Sequence, residues 1–140
     1  MSCPYFDPVA PRLQATDPEC AWLPLGGQWA GLCRAGLDDP SEPPETSLPR
    51  MCNLGYARGA CSRFPQGEGP DAVRFTLSSD DGALLRLYYV LERGHHPFAY
   101  GPLEYSLAGD FFTTKPAGEW TLRQARAYIQ SYLRLKAAAA

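Results

Sequence analysis

Apolar and polar residues alternate over residues 72–78, with Val73, Phe75 and Leu77 on one face and polar side chains on the other. A period of two predicts a β-strand with one buried face. The segment 80–82 (DDG) follows at once and is typical of a tight turn. The pattern therefore predicts the first arm of a β-hairpin.

Three further segments extend this prediction of a sheet. Residues 84–91 (LLRLYYVL) are apolar on both faces, which favours a central strand. Residues 103–107 (LEYSL) alternate again and predict a third strand, and residues 111–114 predict a short fourth one. Because turn signals separate neighbouring strands, we expect the sheet to be antiparallel.

A helix is predicted from Leu122 to Lys136. Thr121 and Gln124 have the spacing of a capping box at its start. Apolar residues recur at helical spacing on one face, namely Leu122, Ala125, Ile129, Tyr132 and Leu133. The fold class that follows is α+β, a small antiparallel sheet with a C-terminal helix.

The first half of the chain differs in composition. Residues 1–70 hold 11 of the 14 prolines and 8 of the 13 glycines, so they predict an irregular lobe rich in cysteine, proline and glycine. One short helix is predicted there, from Leu48 to Arg58, capped by Thr46 or Ser47. We expect this lobe and residues 71–140, which hold the sheet and the C-terminal helix, to form one compact unit.

Charge and hydropathy exclude several classes of protein. The formal net charge of -2 gives no reason to expect a nucleic acid or an anionic membrane as partner. No apolar run reaches the roughly 18 residues of a membrane span. The first seven residues lack the basic and apolar regions of a signal peptide, so we expect a cytoplasmic protein.

Five cysteines lie in the first 61 residues and none follow: Cys3, Cys20, Cys33, Cys52 and Cys61. In a reducing cytoplasm such a group indicates metal or redox chemistry more often than disulfides. An odd number fits four metal ligands and one cysteine without that role. Ordinary buried thiols are the alternative.

The spacing of the cysteines bears on which metal they would bind. Between Cys3 and Cys33, Cys33 and Cys52, and Cys52 and Cys61 lie 29, 18 and 8 residues, so no closely spaced pair of the zinc-ribbon kind is present. Ligands scattered in this way favour a larger object, a 4Fe–4S cluster, whose four irons each take one thiolate. The predicted ligands are Cys3, Cys33, Cys52 and Cys61. Cys20 is the favoured non-ligand, and the sequence leaves open that another of the five takes that place.

Two short motifs support a cluster. Cys3-Pro4 resembles the Cys-Pro pair that closes the cluster motifs of bacterial ferredoxins, and residues 52–61 (CNLGYARGAC) carry glycines that let backbone approach a cluster sulfide. The layout resembles that of small uncharacterised bacterial proteins with scattered cysteines and a CN-x-G-Y-A-x-x-x-C segment. That resemblance covers residues 3–65, implies metal binding of a possible iron–sulfur type, and brings no established activity.

Charged and aromatic residues near the cysteines complete the predicted site. Arg34, Arg58 and Arg63 each lie within three residues of a predicted ligand and would offset the negative charge of four thiolates. The apolar surroundings are predicted to come from Tyr5, Phe6, Trp29, Tyr56 and Phe64.

The function predicted from these patterns is metal binding with an electron-transfer, redox-sensing or structural role, and a protein redox partner in the first case. A structural zinc module that serves protein–protein interaction is the alternative. His95 and His96 offer a third possibility, an enzyme with a metal-bound water, but four cysteine ligands leave no open coordination position. No catalytic motif is present, so the sequence favours a protein that is not an enzyme.

Overall fold

The computed structural model describes residues 2–12, 23–35, 40–67, 69–114 and 118–139. These residues form an α+β fold of two small antiparallel sheets and a C-terminal helix, in agreement with the predicted class. The strands and the helix are β1 (Phe6–Pro11), β2 (Trp29–Cys33), β3 (Ala72–Asp80), β4 (Leu84–Arg93), β5 (His96–Ser106), β6 (Phe111–Phe112) and α1 (Glu119–Ala139). A five-residue π-helix, Leu48–Cys52, lies between β2 and β3.

The larger sheet is a four-stranded meander in the order β3-β4-β5-β6. Both predicted strands form. β3 buries Val73 and Phe75 on its inner face, as its alternation predicts, and β4 is a central strand between β3 and β5. β5 begins at His96, seven residues before the predicted start, because Pro97 and Pro102 obscure the alternation in the sequence. Gly94 and His95 connect β4 to β5, both in the left-handed region (φ 57° and 65°), as a two-residue hairpin turn of type I′ requires.

Helix α1 packs on the core between the two sheets. The core is made of Val73, Phe75, Leu85, Leu87, Leu103 and Tyr105 from the larger sheet, together with Phe6, Leu25, Trp29, Leu48, Ala125, Ala127 and Ile129. Each large apolar side chain buried here stabilises the fold by about 1.5–3 kcal/mol. Within the part of the chain that the structure describes, no helix is long and apolar enough to cross a membrane.

The edge of β3 is held by hydroxyl groups of α1. The backbone N–H of Leu77 donates to the hydroxyl oxygen of Tyr128 over 3.2 Å. Tyr132 donates to Asp80 over 2.6 Å, and Lys136 donates to the same carboxylate over 2.7 Å. These contacts extend along β3 to the last turns of α1. At its other end the helix begins at Glu119, three residues before the predicted start.

The N-terminal half contains a two-stranded sheet, β1 paired with β2, that the sequence did not predict. Two prolines, Pro8 inside the paired segment and Pro11 at its end, disguise β1 as irregular chain. The two strands approach closely at Gly31, where a Cβ atom would lie 2.0 Å from the backbone oxygen of Asp7. A side chain at this position would push β1 and β2 apart.

The predicted helix over residues 48–58 was too long. Ser47 lies at the N-cap position, but the helix ends at Cys52. Gly55 and Tyr56 both adopt left-handed φ angles, 77° and 56°, which no helix can include. The chain after Cys52 is therefore a loop rather than the second half of a helix.

Candidate metal centre

Four cysteines from four separate segments line one cavity. Cys3 precedes β1, Cys33 is the last residue of β2, Cys52 is the last residue of the π-helix, and Cys61 lies in the loop that follows. The cavity is small, with a volume of about 20 Å³ that water could occupy, and it is partly open to solvent. The four predicted ligands are thus brought together, whereas Cys20 lies outside the described residues.

The wall of the cavity is mainly apolar. Tyr5 and Phe64 meet edge to face, with ring centroids 5.4 Å apart, and Phe6 is buried. The remaining side chains are Ala35, Met51, Ala57 and Arg63. Tyr5, Phe6 and Phe64 were predicted, but the small residues and Met51 carry no signal in the sequence. The apolar wall shields the partly buried cysteines from solvent on the protein side of the cavity.

Trp29 and Tyr56, which were also predicted to surround the cysteines, lie elsewhere. Trp29 is in the core, where its indole Nε1 donates to Ser131 over 2.9 Å. Tyr56 donates its hydroxyl hydrogen to Glu92 and stacks on His95, with ring centroids 4.0 Å apart. Both residues support the site from a distance rather than line it.

The backbone around Cys3 is held by both the sheet and the helix. The N–H of Cys3 donates to the carbonyl of Cys52 over 3.0 Å, and Ser2 exchanges two backbone hydrogen bonds with Val73. From α1, the fully buried Gln124 donates to the carbonyls of Cys3 and Phe6 over 2.6 and 2.7 Å. Gln124 also accepts a hydrogen bond from the Ser2 hydroxyl over 2.7 Å.

This arrangement corrects the predicted capping box. Gln124 does not turn back to the start of α1 but reaches across to the N-terminal segment. The spacing from Thr121 to Gln124 is a local pattern, and the true partners lie more than a hundred residues away. Sequence reasoning therefore missed Gln124 and Ser2 as residues that position a predicted ligand.

A buried asparagine fixes the segment that carries Cys52. Asn53 donates to the carbonyls of Leu48 and Trp29 over 2.9 and 3.0 Å, and accepts from the N–H of Trp29 over 2.9 Å. The side chain therefore closes the π-helix and joins it to β2. π-Helical turns are frequent at functional sites. No pattern in the sequence distinguishes this asparagine from a loop residue.

The segment between Cys52 and Cys61 is attached to the larger sheet by two polar contacts. Tyr56 binds Glu92, and Arg58 binds Asp71 over 2.7 Å. Both carboxylates are buried, at 5% and 7% exposure. The donor that each carboxylate receives offsets the free-energy cost of removing that carboxylate from water. The N–H of Cys61 donates to Ala57 over 2.7 Å, which closes the turn around the fourth thiol.

Of the three predicted arginines, Arg63 lines the cavity. Arg58 pairs with Asp71, and Arg34 pairs with the buried Asp7 over 2.9 Å. Arg123 of α1 binds Asp7 as well, over 3.1 Å. Arg34 is therefore part of the bridge between β1, β2 and α1, and Arg63, which donates to the Ser41 hydroxyl, is the one of the three that borders the cysteines.

Burial dominates the ionisation of two of the thiols. Burial, with smaller contributions from the charges of Cys52, Cys33 and Cys61, raises the pKa of Cys3 to about 12, against a hydrogen bond from the Tyr5 backbone that lowers it. Burial, followed by the charges of Cys33 and Cys61, likewise raises the pKa of Cys52 to about 12. The four thiols are close enough to repel one another as thiolates. A bound metal would displace their protons.

The two histidines lie away from the cysteines. His95 occupies the β4–β5 turn, and His96 is the exposed first residue of β5, so neither lines the cavity. Within the described ranges, no three side chains of His, Cys, Asp or Glu are arranged to hold a single metal ion.

In comparisons with known proteins, no family model, no curated protein and no solved structure matches this chain.

Proposed function

We propose that this protein holds one 4Fe–4S cluster through the thiolates of Cys3, Cys33, Cys52 and Cys61. The observation that carries the proposal is the convergence of these cysteines, from four separate segments, on one cavity with a mainly apolar wall. Four thiolates are the ligand set of such a cluster.

The origin of the proposed ligands favours a cluster over a single ion. In a zinc site four sulfur atoms surround one ion at about 2.3 Å, and paired ligands from one turn are the usual source. Here each cysteine comes from its own segment, and the four thiols border one small cavity. An inorganic core of four irons and four sulfides is larger than a zinc ion, and four single ligands from separate segments suit it better than paired ones.

The residues around the cysteines would bind and shield the cluster. Phe6, Phe64 and Met51 exclude water, Arg63 balances negative charge, and Gln124 and Asn53 hold the backbone of two ligand segments in place. A bound 4Fe–4S cluster supplies one-electron transfer at a potential that burial and hydrogen bonds adjust. We infer an electron-transfer or redox-sensing role in the cytoplasm, with a redox protein as partner.

A structural zinc module that serves protein–protein interaction is the second candidate. The observation that favours it is that backbone hydrogen bonds already join the segments that carry the cysteines, from Cys3 to Cys52 and from Cys33 to Ser41. Among the described residues no three side chains are yet arranged around a single ion, so zinc would have to draw the thiols together. A metal at this point would join the N-terminal segment, β2 and the π-helix, and would contribute folding free energy.

One sample distinguishes the two candidates. The protein is purified without oxygen, and its absorption spectrum is measured together with iron, sulfide and zinc per chain. A brown protein with a broad band near about 400 nm and about four irons per chain supports the cluster. A colourless protein with about one zinc per chain supports the structural module. A protein with neither metal overturns both.

A further inference from the structure

The outer face of the larger sheet exposes an aromatic surface. On this face β4 presents Tyr88 and β5 presents Tyr100, with 44% and 74% exposure, and Phe98 lies two residues before Tyr100 with 45% exposure. The inner face of the same strands carries the core. Large aromatic side chains left in water in one place mark an interaction surface more often than a solvated one.

The strand register brings these residues together. Tyr88 lies opposite Pro102, and Tyr100 lies opposite Val90, which is two residues from Tyr88 on the same strand. Tyr88 and Tyr100 are therefore diagonal neighbours across β4 and β5, about 7–8 Å apart. Together with Val90 and Pro102 they form one continuous apolar strip.

Three arginines border this strip. Arg74 donates through Nε to Glu92 over 3.2 Å, Arg86 through Nε to Glu104 over 3.1 Å, and Arg93 through Nε to the carbonyl of Gly69 over 3.2 Å. Arg93 also stacks on the ring of Phe98, 4.4 Å from its centroid. Among the described residues, the terminal amino groups of these arginines have no hydrogen-bond partner. Arg74 and Arg86 already pair with carboxylates, so Arg93, which pairs with none among the described residues, is the arginine of this border that an incoming carboxylate would meet.

We propose that this surface, formed by Tyr88, Val90, Phe98, Tyr100 and Pro102 with Arg74, Arg86 and Arg93 at its border, binds a protein segment that carries carboxylates beside apolar or aromatic side chains. Protein–protein interfaces are enriched in aromatic residues and arginine and depleted in lysine, and this surface has the same composition. The proposal does not depend on the metal centre.

The same charges argue against a nucleic acid as occupant. Glu92 and Glu104 already neutralise Arg74 and Arg86, and Glu104 faces the same side as Tyr100. Binding to a phosphate backbone needs several uncompensated cations. A single carboxylate on a protein segment, by contrast, can bind to one arginine whose donors are free.

The test is a selection of random 12-residue peptides displayed on phage against the purified full-length chain, after removal of phage that bind the Tyr88→Ala/Tyr100→Ala double variant. We expect the selected peptides to be enriched in Asp or Glu together with aromatic or aliphatic residues. Synthetic copies should bind the wild type, and Tyr100→Ala should weaken binding by about tenfold or more. Arg93→Gln should weaken it too, because Arg93 is the bordering arginine without a carboxylate partner among the described residues.

Val9→Ala is the matched control, because Val9 is an exposed apolar residue of β1 in the other sheet. Its affinity for the peptides should equal that of the wild type. Circular dichroism melts confirm that each variant folds. Failure to enrich any peptide, or equal affinity for the Tyr100 variant, overturns the proposal. Binding of a labelled (dT)12 oligonucleotide that is lost in the same variants would assign the surface to single-stranded nucleic acid instead and also overturn it.

Discussion

The side-chain amide of Gln124 donates from Nε2 to the backbone carbonyl oxygen of Cys3 over 2.6 Å. One buried residue of α1 thereby fixes the segment that carries the first proposed ligand. The same amide group binds the carbonyl of Phe6 and accepts from Ser2, so its hydrogen-bonding capacity is used on both sides of that ligand. The position of Cys3 therefore depends on the C-terminal helix.

Replacing Gln124 with Leu should lower the free energy of unfolding by about 2–4 kcal/mol, because the buried partners of the amide lose their hydrogen bonds. Metal content per chain should fall as well, since Cys3 is no longer held. Urea unfolding and metal analysis measure the two effects. Gln130→Leu is the control, because Gln130 lies on the exposed face of α1. Equal losses in both variants would contradict the role of Gln124.

Replacing Cys52 or Cys61 with Ser should abolish metal binding and loosen residues 1–70, since each cysteine supplies one of four proposed ligands. Cys20→Ser should keep the full metal content. Metal analysis measures the first effect, and limited proteolysis of the N-terminal half measures the second. A Cys52→Ser protein that retains its full complement of metal would show the ligand assignment to be wrong.

Replacing His96 with Ala should leave the metal stoichiometry unchanged, because His96 is exposed at the start of β5 and does not line the cavity. The measurement is metal per chain in the variant and in the wild type, purified side by side. Loss of metal in the variant would place His96 among the ligands or their immediate supports.

Stability at acid pH should depend on Asp80. Hydrogen bonds from Lys136, then from Tyr132 and the N–H of Gly82, lower the pKa of this carboxyl to about 2. A carboxyl whose pKa falls on folding stabilises the native state above its unfolded pKa of about 3.9, and this contribution disappears as the pH drops towards 2. Asp80→Asn should therefore be less stable than the wild type at pH 7.

The difference between these two proteins should shrink between about pH 4 and pH 2, and urea unfolding at several pH values measures it. Other carboxyl groups titrate in both proteins, so only the difference reports on Asp80. A difference that stays constant over this range would contradict the pairing of Asp80 with α1.

The parts of the fold that the sequence predicted are those with local patterns. β3 and β4 alternate or stay apolar over seven or eight residues, so their neighbours in sequence reveal them. β1 was hidden because Pro8 and Pro11 imitate a loop, and its partner β2 lies eighteen residues further on. The helix over 48–58 was overextended because the left-handed backbone of Tyr56 has no signature in its side chain.

The candidate site also has parts that the sequence reveals and parts that only the fold reveals. Cysteine is a metal ligand by residue type, so a group of cysteines could be proposed from residue type and spacing. The residues that position them could not, because Gln124 and Asn53 act through partners that only the folded chain brings near. Gln124 even matched a local helix-start pattern, which concealed its long-range contact.

Two of the anchors of the Cys3 segment, Val73 and Gln124, lie in the second half of the chain. During synthesis the first proposed ligand therefore leaves the ribosome long before the strand and the helix that hold its segment. These contacts are among the most distant in sequence, and closing such loops is slow relative to local structure. Cys3 is therefore the proposed ligand whose surroundings are completed last, and binding of a metal by all four cysteines would follow the synthesis of α1.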